Sequence, residues 1–220
     1  MSGPKEFVRY ALSVGARELV PEGRKLKSGR ISPYFFNSGL FNTGVSITEL
    51  IKAYVSAGTF FVEAEVVFGP AYKGIPLATA MAMAMSIKYK TRVGYAFNRK
   101  EEKKHGDGGT IVGCPLAGKN VLIVDDVMTT GTSSGEAVGI IRANGGTPIG
   151  CVIAFDRQEC GKDGRLSAVQ EFERNYGIPV RAAATLADLI DVVNNDGGYV
   201  SREKAAILEK ILAYRKQYGV

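Results

Sequence analysis

Two adjacent carboxylates, Asp125 and Asp126, are the side chains of this sequence most suited to chemistry. They directly follow residues 121–124, a short apolar run of the kind found in strands that are buried on both faces. Because open α/β sheets bind ligands at the carboxyl ends of their strands, we expect this acidic pair to contact one. The alternative is that the two residues only end a strand and cap a helix.

A phosphate cradle is predicted immediately after the acidic pair. Residues 129–134 read Thr-Thr-Gly-Thr-Ser-Ser, and a helix is predicted from Glu136 onward. Backbone N–H groups at such a turn can converge on a phosphate, helped by the positive end of the helix dipole. A nucleoside-triphosphatase loop is a poor match, since Gly-Lys-Ser/Thr is absent at the required spacing. Carboxylates beside a phosphate cradle suit a phosphorylated sugar whose anionic groups need a metal.

A second candidate anion site lies at residues 69–74, Gly-Pro-Ala-Tyr-Lys-Gly. This segment separates a predicted strand at 65–70 from a predicted helix at 75–85. Its two glycines and Lys73 again place N–H groups and a cation at a strand-to-helix junction.

A basic loop, residues 98–109, follows a strand predicted at 92–97. It contains His105, the only histidine of the chain, and three glycines that would let it move. The loop is either a solvated charged segment or a lid whose histidine can exchange a proton near neutral pH. Its cationic or potentially cationic side chains are Arg99, Lys100, Lys103, Lys104 and His105.

Two further segments carry cationic side chains in places that a function could use. A hairpin is predicted at residues 25–37, where Lys27 stands near an aromatic run that includes Phe35 and Phe36. On these residues alone it could equally be a hydrophobic plug with solvated lysines. Arg157 follows a strand predicted at 147–155, which puts it level with the acidic pair if the two strands are adjacent. The alternative is a surface ion pair with Asp156 or Glu159.

The elements that must position these residues alternate between strand and helix, which predicts an α/β domain with a mostly parallel sheet flanked by helices. We expect one domain over residues 1–220. Helices are predicted at 4–20, 46–61, 75–85, 136 onward, 167–176, 186–193 and 202–218, and strands at 65–70, 92–97, 121–124, 147–155 and 180–184.

Composition narrows the function classes. The net charge of +6 does not distinguish a nucleic acid from a small phosphate, but the basic residues cluster in the glycine-flanked loop, which favours a small polyanion. Without an apolar run of about twenty residues or a secretory leader, we expect a cytoplasmic protein with no membrane and no nucleic-acid partner. The three cysteines have no metal or redox spacing.

Residues 121–133, Val-Leu-Ile-Val-Asp-Asp-Val-Met-Thr-Thr-Gly-Thr-Ser, resemble the phosphoribosyl-pyrophosphate (PRPP) motif of the type I phosphoribosyltransferases. The resemblance implies the fold of that family, with the acidic pair on the ribose hydroxyls and the cradle around the 5-phosphate. Residues 69–74, hereafter the diphosphate turn, resemble the family's pyrophosphate loop, which makes Ala71–Tyr72 the candidate for a non-proline cis peptide.

Two other segments resemble the orotate-specific members of this family. Leu-Lys-Ser-Gly-Arg-Ile-Ser-Pro-Tyr-Phe-Phe-Asn (26–37) is similar to their amino-terminal hood, which covers the pyrimidine and is expected here at about residues 20–40. Phe-Asn-Arg-Lys-Glu-Glu-Lys-Lys-His-Gly-Asp-Gly-Gly (97–109) resembles their mobile catalytic lid, expected at about residues 98–110. The family resemblance therefore implies transfer of a phosphoribosyl group to orotate, giving orotidine 5′-monophosphate and pyrophosphate in pyrimidine synthesis.

The resemblance carries roles onto individual residues. The predicted PRPP-binding residues are Lys27, Tyr72, Lys73, Arg99, Lys100, Lys103, His105, Asp125, Asp126, Val127, Met128, Thr129, Thr130, Gly131, Thr132 and Ser133. The predicted orotate-binding residues are Lys27, Phe35, Phe36, Thr129 and Arg157. The residues predicted to act in catalysis are Arg99, Lys100, Lys103, His105, Asp125 and Asp126.

The resemblance also implies Mg²⁺ as cofactor, held mainly by the diphosphate and water without a firm protein ligand, and a homodimer that shares the lid across its interface. Two other functions stay open at this point. One is a phosphoribosyltransferase for another base. The other is a non-catalytic PRPP-sensing regulator that binds nucleic acid, which should carry a DNA-binding domain or lack the lid.

Overall fold

The structure is a computed structural model that describes residues 3–26, 28–103, 109–128, 131–161, 164–195 and 202–220. Its α-helices are α1 (Pro4–Ser13), α2 (Gly44–Ala57), α3 (Gly74–Tyr89), α4 (Thr132–Ala143), α5 (Ala168–Tyr176), α6 (Leu186–Asn195) and α7 (Arg202–Tyr218). Its strands are β1 (Arg17–Lys25), β2 (Ile31–Phe36), β3 (Val66–Gly69), β4 (Gly94–Lys103), β5 (Gly109–Gly113), β6 (Asn120–Val127), β7 (Thr147–Asp156) and β8 (Val180–Thr185).

Six strands form the central sheet in the order β5-β4-β3-β6-β7-β8. The pairs β4–β3, β3–β6, β6–β7 and β7–β8 are parallel, and only β5 runs antiparallel to its neighbour β4. Hydrophobic clusters cover both faces, one with α1, α2, α3, α6 and α7 and the other with α4 and α5. The predicted mostly parallel sheet flanked by helices is therefore confirmed.

Strand β6 shows how the sequence produces this layering. Val121 and Ile123 point into the cluster with α4 and α5, while Leu122 and Val124 point into the cluster on the opposite face. All four side chains are fully buried, because successive residues of a strand face opposite sides and both sides are covered. The predicted buried strand thus carries the acidic pair out at its carboxyl end.

The amino-terminal part differs from its prediction. The helix predicted at 4–20 ends at Ser13, because the chain turns at Gly15, whose φ is +70°. Strand β1 then begins at Arg17 and pairs antiparallel with β2 as a separate two-stranded sheet. The hood is therefore the hairpin Arg17–Phe36, longer than the predicted one, and α7 packs against both of its strands.

Two helix starts and one loop also differ. Helix α2 begins at Gly44 rather than at 46, because the Thr43 and Ser46 side chains cap each other's backbone N–H groups. Helix α4 begins at Thr132, so the end of the predicted cradle is already its first turn. In the lid, residues up to Lys103 extend β4 and Gly109–Gly113 form β5, where a loop was predicted.

In the ranges that the structure describes, no helix combines the length and apolar character that a membrane span requires.

Candidate active site

The acidic pair lies at the carboxyl end of β6, and each carboxylate is only 7% exposed. Asp125 Oδ1 accepts the N–H of Asp126 at 2.9 Å, and its Oδ2 lies 3.5 Å from the donating Oγ of Ser134. The hydroxyl of the buried Tyr54 donates to the Asp125 carbonyl at 2.8 Å, which fixes the main chain here. Burial, reinforced by the neighbouring Asp126 carboxylate, raises the pKa of Asp125 to about 7.

The second carboxylate joins the acidic pair to the diphosphate turn. Lys73 Nζ donates to Asp126 Oδ2 at 2.6 Å, and Ser38 Oγ, from the turn after β2, donates to the same oxygen at 3.0 Å. Strands β3 and β6 are neighbours, so the segments that follow them meet at one edge of the sheet. The structure therefore brings together two segments, each predicted to bind an anion, that are more than fifty residues apart in the sequence.

The diphosphate turn has the predicted backbone. The Ala71–Tyr72 peptide is cis, and Gly69 and Gly74 approach so closely that a Cβ on Gly69 would lie 1.9 Å from the Gly74 carbonyl oxygen. Only glycine fits such a crossing. Tyr72 is 72% exposed, which leaves its side chain open to solvent.

Asn98 was not recognised as a site residue from the sequence, yet it braces this turn. Its side-chain oxygen accepts the N–H of Ala71 at 2.9 Å, which ties the diphosphate turn to strand β4, the strand that leads into the lid. A lone asparagine at the start of a charged segment gives no signal of such a contact, because the partner is 27 residues away.

The cradle leads from β6 into α4. Gly131 adopts a φ of +67°, and its carbonyl accepts the N–H of Gly135 in the first turn of the helix. Met128 is buried in the core, whereas Ser133 is exposed at the helix amino terminus, where backbone N–H groups and the dipole favour an anion. Thr129 and Thr130 lie outside the described residues, as does the side chain of Thr132.

At the end of the adjacent strand β7, Arg157 is 6% exposed. Its Nε and Nη2 lie 2.7 and 2.6 Å from Glu159 Oε1, and Nη2 also donates to Ser32 Oγ at 3.0 Å. Burial disfavours the charged guanidinium, but the nearby Tyr34 and Glu159 outweigh it and raise the pKa of Arg157. The sequence left open an ion pair between Arg157 and Glu159 on the surface. The structure contains this ion pair, but it is buried.

The two phenylalanines of the hood face different surroundings. Phe36 is 4% exposed and stacks on Phe155 of β7 with ring centroids 6.1 Å apart. Phe35 is half-buried, and the guanidinium of Arg24 lies 3.9 Å from its ring centroid. Of the two side chains, only Phe35 is therefore partly open, while the Phe36 ring belongs to the core that supports the hood.

The lid is described only in part. Arg99 is half-buried and Lys100 exposed on β4, and Lys103 ends that strand without a described side chain. Lys104 and His105 lie outside the described residues, as does Lys27 of the hood. Their predicted roles stay predictions.

A cleft of about 450 Å³ opens beside this site, between the turn after β2 and the starts of α2 and α3. Ser38 and Lys73, the two donors to Asp126, form part of its wall. Within the described ranges, no group of three or more His, Cys, Asp or Glu side chains is placed to hold a metal ion.

Comparison with known proteins agrees with this geometry. The family model of the phosphoribosyl transferase domain matches residues 44–185. An orotate phosphoribosyltransferase from Nitrosococcus oceani is 52% identical over 219 residues, which cover 98% of this chain and 94% of that protein. One from Marinobacter nauticus is 49% identical over 218 residues, with 98% of both chains covered.

A solved structure supports the same assignment. The crystal structure of orotate phosphoribosyltransferase from Francisella tularensis superimposes with a TM-score of 0.82 at 36% identity, over 98% of this chain and 100% of that one. The site therefore lies in a chain that belongs to the orotate phosphoribosyltransferases, a family of the phosphoribosyl transferase domain.

Proposed function

We propose that this chain transfers the phosphoribosyl group of PRPP to orotate, giving orotidine 5′-monophosphate and pyrophosphate, a step of pyrimidine nucleotide synthesis. The observation that carries this proposal is the 2.6 Å contact between Lys73 and Asp126. It puts a cation for a diphosphate beside an acceptor for ribose hydroxyls, as one PRPP molecule requires. That the accepted base is orotate follows from membership of the orotate phosphoribosyltransferases.

PRPP would bind along the carboxyl edge of the sheet. Asp125 and Asp126 accept hydrogen bonds from the ribose hydroxyls, and Lys73 with the backbone at Tyr72 holds the diphosphate. The 5-phosphate lies at the amino terminus of α4. The residues that wrap it are Val127, Met128, Thr129, Thr130, Gly131, Thr132 and Ser133.

Binding of PRPP requires Lys73 to change partners. In the free protein Lys73 is ion-paired with Asp126, although its side chain is 58% exposed. The arriving diphosphate offers the ammonium group a more highly charged anion, and the ribose hydroxyls replace Lys73 as donors to Asp126. The exposed position of Lys73 allows this exchange without moving the buried acidic pair.

The chemical task is to stabilise the leaving group, because the ribose C1 develops oxocarbenium character as the diphosphate departs. Lys73 opposes that growing negative charge from the turn, and Arg99, Lys100, Lys103 and His105 oppose it from the lid. Closure of the lid would also exclude water, which would otherwise hydrolyse PRPP. His105 can carry a proton at neutral pH.

Orotate would occupy the space between the hood and the end of β7. Its carboxylate pairs with Arg157, whose planar guanidinium suits a carboxylate. Lys27, Thr129, Phe35 and Phe36 complete the base site, with Phe36 acting from the core behind it.

The acidic pair fits a magnesium ion only as a minor contributor. Mg²⁺ prefers oxygen ligands in an octahedral arrangement and keeps several waters. Asp125 and Asp126 offer oxygens, but Asp126 already accepts from Lys73 and Ser38. This donor set suits an ion that takes most of its ligands from the diphosphate and water, where it would neutralise leaving-group charge.

We also propose a homodimer in which the lid reaches the partner's site. Met83 and Ile87 lie four residues apart on the same face of α3 and are 63% and 72% exposed. Met81 and Met85 of the same helix are buried, so Met83 lies on the opposite, open face. An exposed apolar face on the helix beside the lid strand suits a second copy of the chain.

The test is a base-specificity assay with PRPP and Mg²⁺, comparing orotate with uracil, hypoxanthine and adenine. We expect turnover with orotate alone. Turnover with a purine and none with orotate would replace this proposal by a transferase for another base. Salt-sensitive binding to duplex DNA without any base turnover would indicate the regulator instead.

A further inference from the structure

Arg157 does not stand alone in the base site but is held in one orientation by its neighbours. The hydrogen bonds to Glu159 and Ser32 engage the Nε and Nη2 edge of the guanidinium plane. The ring of Tyr34 lies under the plane, 4.4 Å from the guanidinium carbon. These contacts leave Nη1 for a carboxylate that approaches Arg157, with Tyr214 also close to the guanidinium.

Glu159 is itself fixed by donors from the hood. Its Oε1 accepts from the Tyr34 hydroxyl at 3.0 Å as well as from Arg157, and its Oε2 accepts from Arg30 at 3.2 Å. The side chain is 10% exposed, and the Glu159 backbone forms an antiparallel bridge with Gly219 at the carboxyl end of the chain. This one carboxylate thus connects the hood, the end of β7 and the segment after α7.

The charges of the cluster suit an anionic ligand. A second buried guanidinium, that of Arg17, lies 5.6 Å from the centroid of the same Tyr34 ring. Arg30 is a third cation in this cluster, since it pairs with Glu159 Oε2. Glu159 balances one of the three, so Arg17, Arg30, Arg157 and Glu159 together still carry two positive charges. Glu159 can therefore orient Arg157 without cancelling its attraction for a carboxylate.

We propose that Glu159 is a positioning residue for the base site, which orients Arg157 toward the orotate carboxylate and couples that orientation to the hood. This inference rests on the proposed role of Arg157. Ser32 and Tyr34 assist, one by accepting from Arg157 and the other by donating to Glu159. Neither Glu159 nor these helpers touch the base.

The experiment compares the binding of two nucleotides that differ only in the carboxylate, orotidine 5′-monophosphate and uridine 5′-monophosphate, by calorimetry. The variants are Glu159→Gln, Ser32→Ala, Tyr34→Phe and Arg157→Ala. The matched control is Glu65→Gln, which makes the same change in an ion pair with Lys119 at the amino-terminal edge of the sheet.

We expect Glu159→Gln to weaken the binding of orotidine 5′-monophosphate about tenfold or more, as the loss of a charge-assisted contact does. The affinity for uridine 5′-monophosphate should change less than about twofold. The KM for orotate should rise in parallel and the KM for PRPP should not. Ser32→Ala and Tyr34→Phe should show the same pattern more weakly, and the Glu65→Gln control should show none of it.

The outcomes separate this inference from the proposed function. If Arg157→Ala keeps the preference for the carboxylate, the proposed role of Arg157 is wrong. If Arg157→Ala abolishes the preference while Glu159→Gln retains it, only the positioning role is wrong. Equal weakening of both nucleotides would reduce Glu159 to a general structural role. Should Glu159→Gln not fold, Ser32→Ala and Tyr34→Phe decide by the same criterion.

Discussion

Replacing Asp125 by Asn should stabilise the protein at neutral and alkaline pH while reducing its activity. The carboxylate is buried, and burial together with Asp126 raises its pKa from 3.8 to about 7. Asparagine has nearly the same side-chain shape as aspartate. Its side-chain oxygen can still accept the N–H of Asp126, and its amide group can donate to the Ser134 hydroxyl. The substitution therefore removes a buried negative charge with little change in packing.

The direction in which stability changes with pH depends on whether the folded or the unfolded chain holds the proton. Between about pH 4 and pH 7 the folded protein keeps the Asp125 proton that the unfolded chain has released. The stability that Asp125 contributes is thus complete below its unfolded pKa and is lost as the pH rises through its folded pKa. Since each pKa unit is worth about 1.4 kcal/mol, the loss between pH 5 and pH 8 should be about 1–3 kcal/mol.

Thermal unfolding at several pH values between 5 and 8 tests this. The Tm of Asp125→Asn minus that of the wild type should grow by about 2–12 °C from pH 5 to pH 8, because each kcal/mol shifts Tm by roughly 2–4 °C in a chain of this size. The control is Glu65→Gln, which changes a partly exposed carboxylate remote from the acidic pair. Its Tm difference from the wild type should not grow between pH 5 and pH 8, because the hydrogen bond from Lys119 lowers the pKa of Glu65. A pH-independent difference for Asp125→Asn would refute the reasoning.

Three further predictions concern the lid, the diphosphate turn and the core. Lys103→Ala should lower kcat by orders of magnitude with unchanged circular dichroism and Tm, and undiminished orotidine 5′-monophosphate formation would contradict the role of the lid. Lys73→Ala should raise the KM for PRPP about tenfold or more while leaving the KM for orotate nearly constant, and equal effects on both would argue against a diphosphate contact. Gly150→Ala should lower the free energy of unfolding in urea by about 1–3 kcal/mol, because its Cβ would lie 2.2 Å from the Phe61 ring and overpacking is destabilising. The control Gly139→Ala on α4 places its Cβ in open space and should be neutral or stabilising.

Local patterns in the sequence predicted much of this fold and site. The run 121–126 specifies a buried strand and the acidic pair at its end, because hydrophobic period and strand direction act within a few residues. The same holds for the turn at 69–74, whose glycines and lysine are contiguous. What remained open was how far each element extends, since Gly15 and the caps at Thr43 and Gly131 decide this and signal it weakly.

The supports of Arg157 could not be predicted because they are distant in the sequence. Ser32 is 125 residues from Arg157, and Tyr34 is 125 residues from Glu159. Nothing in the local pattern around a serine or tyrosine of a hairpin indicates that it will meet the end of another strand. Strand β5 was missed for a related reason, because Gly109–Gly113 is a strand only through its pairing with β4.

The order of the strands accounts for the order of the chemistry. Along the chain the diphosphate turn comes first, then the lid, the acidic pair and Arg157. The sheet rearranges them, because β4 and β5 lie on one side of β3 while β6 returns to its other side and β7 follows. Such a reversal opens the crevice in which α/β sheets bind ligands.

Across this crevice the spatial order of the proposed sites is the lid, the diphosphate turn, the acidic pair and Arg157. A ribose bound to the acidic pair would then have its leaving group toward β3 and the incoming base toward β7, on opposite sides. Displacement at C1 needs the two groups to be separated in this way. The reversal of strand order between β3 and β6 would therefore place the diphosphate turn, the acidic pair and Arg157 in the order that the proposed reaction requires.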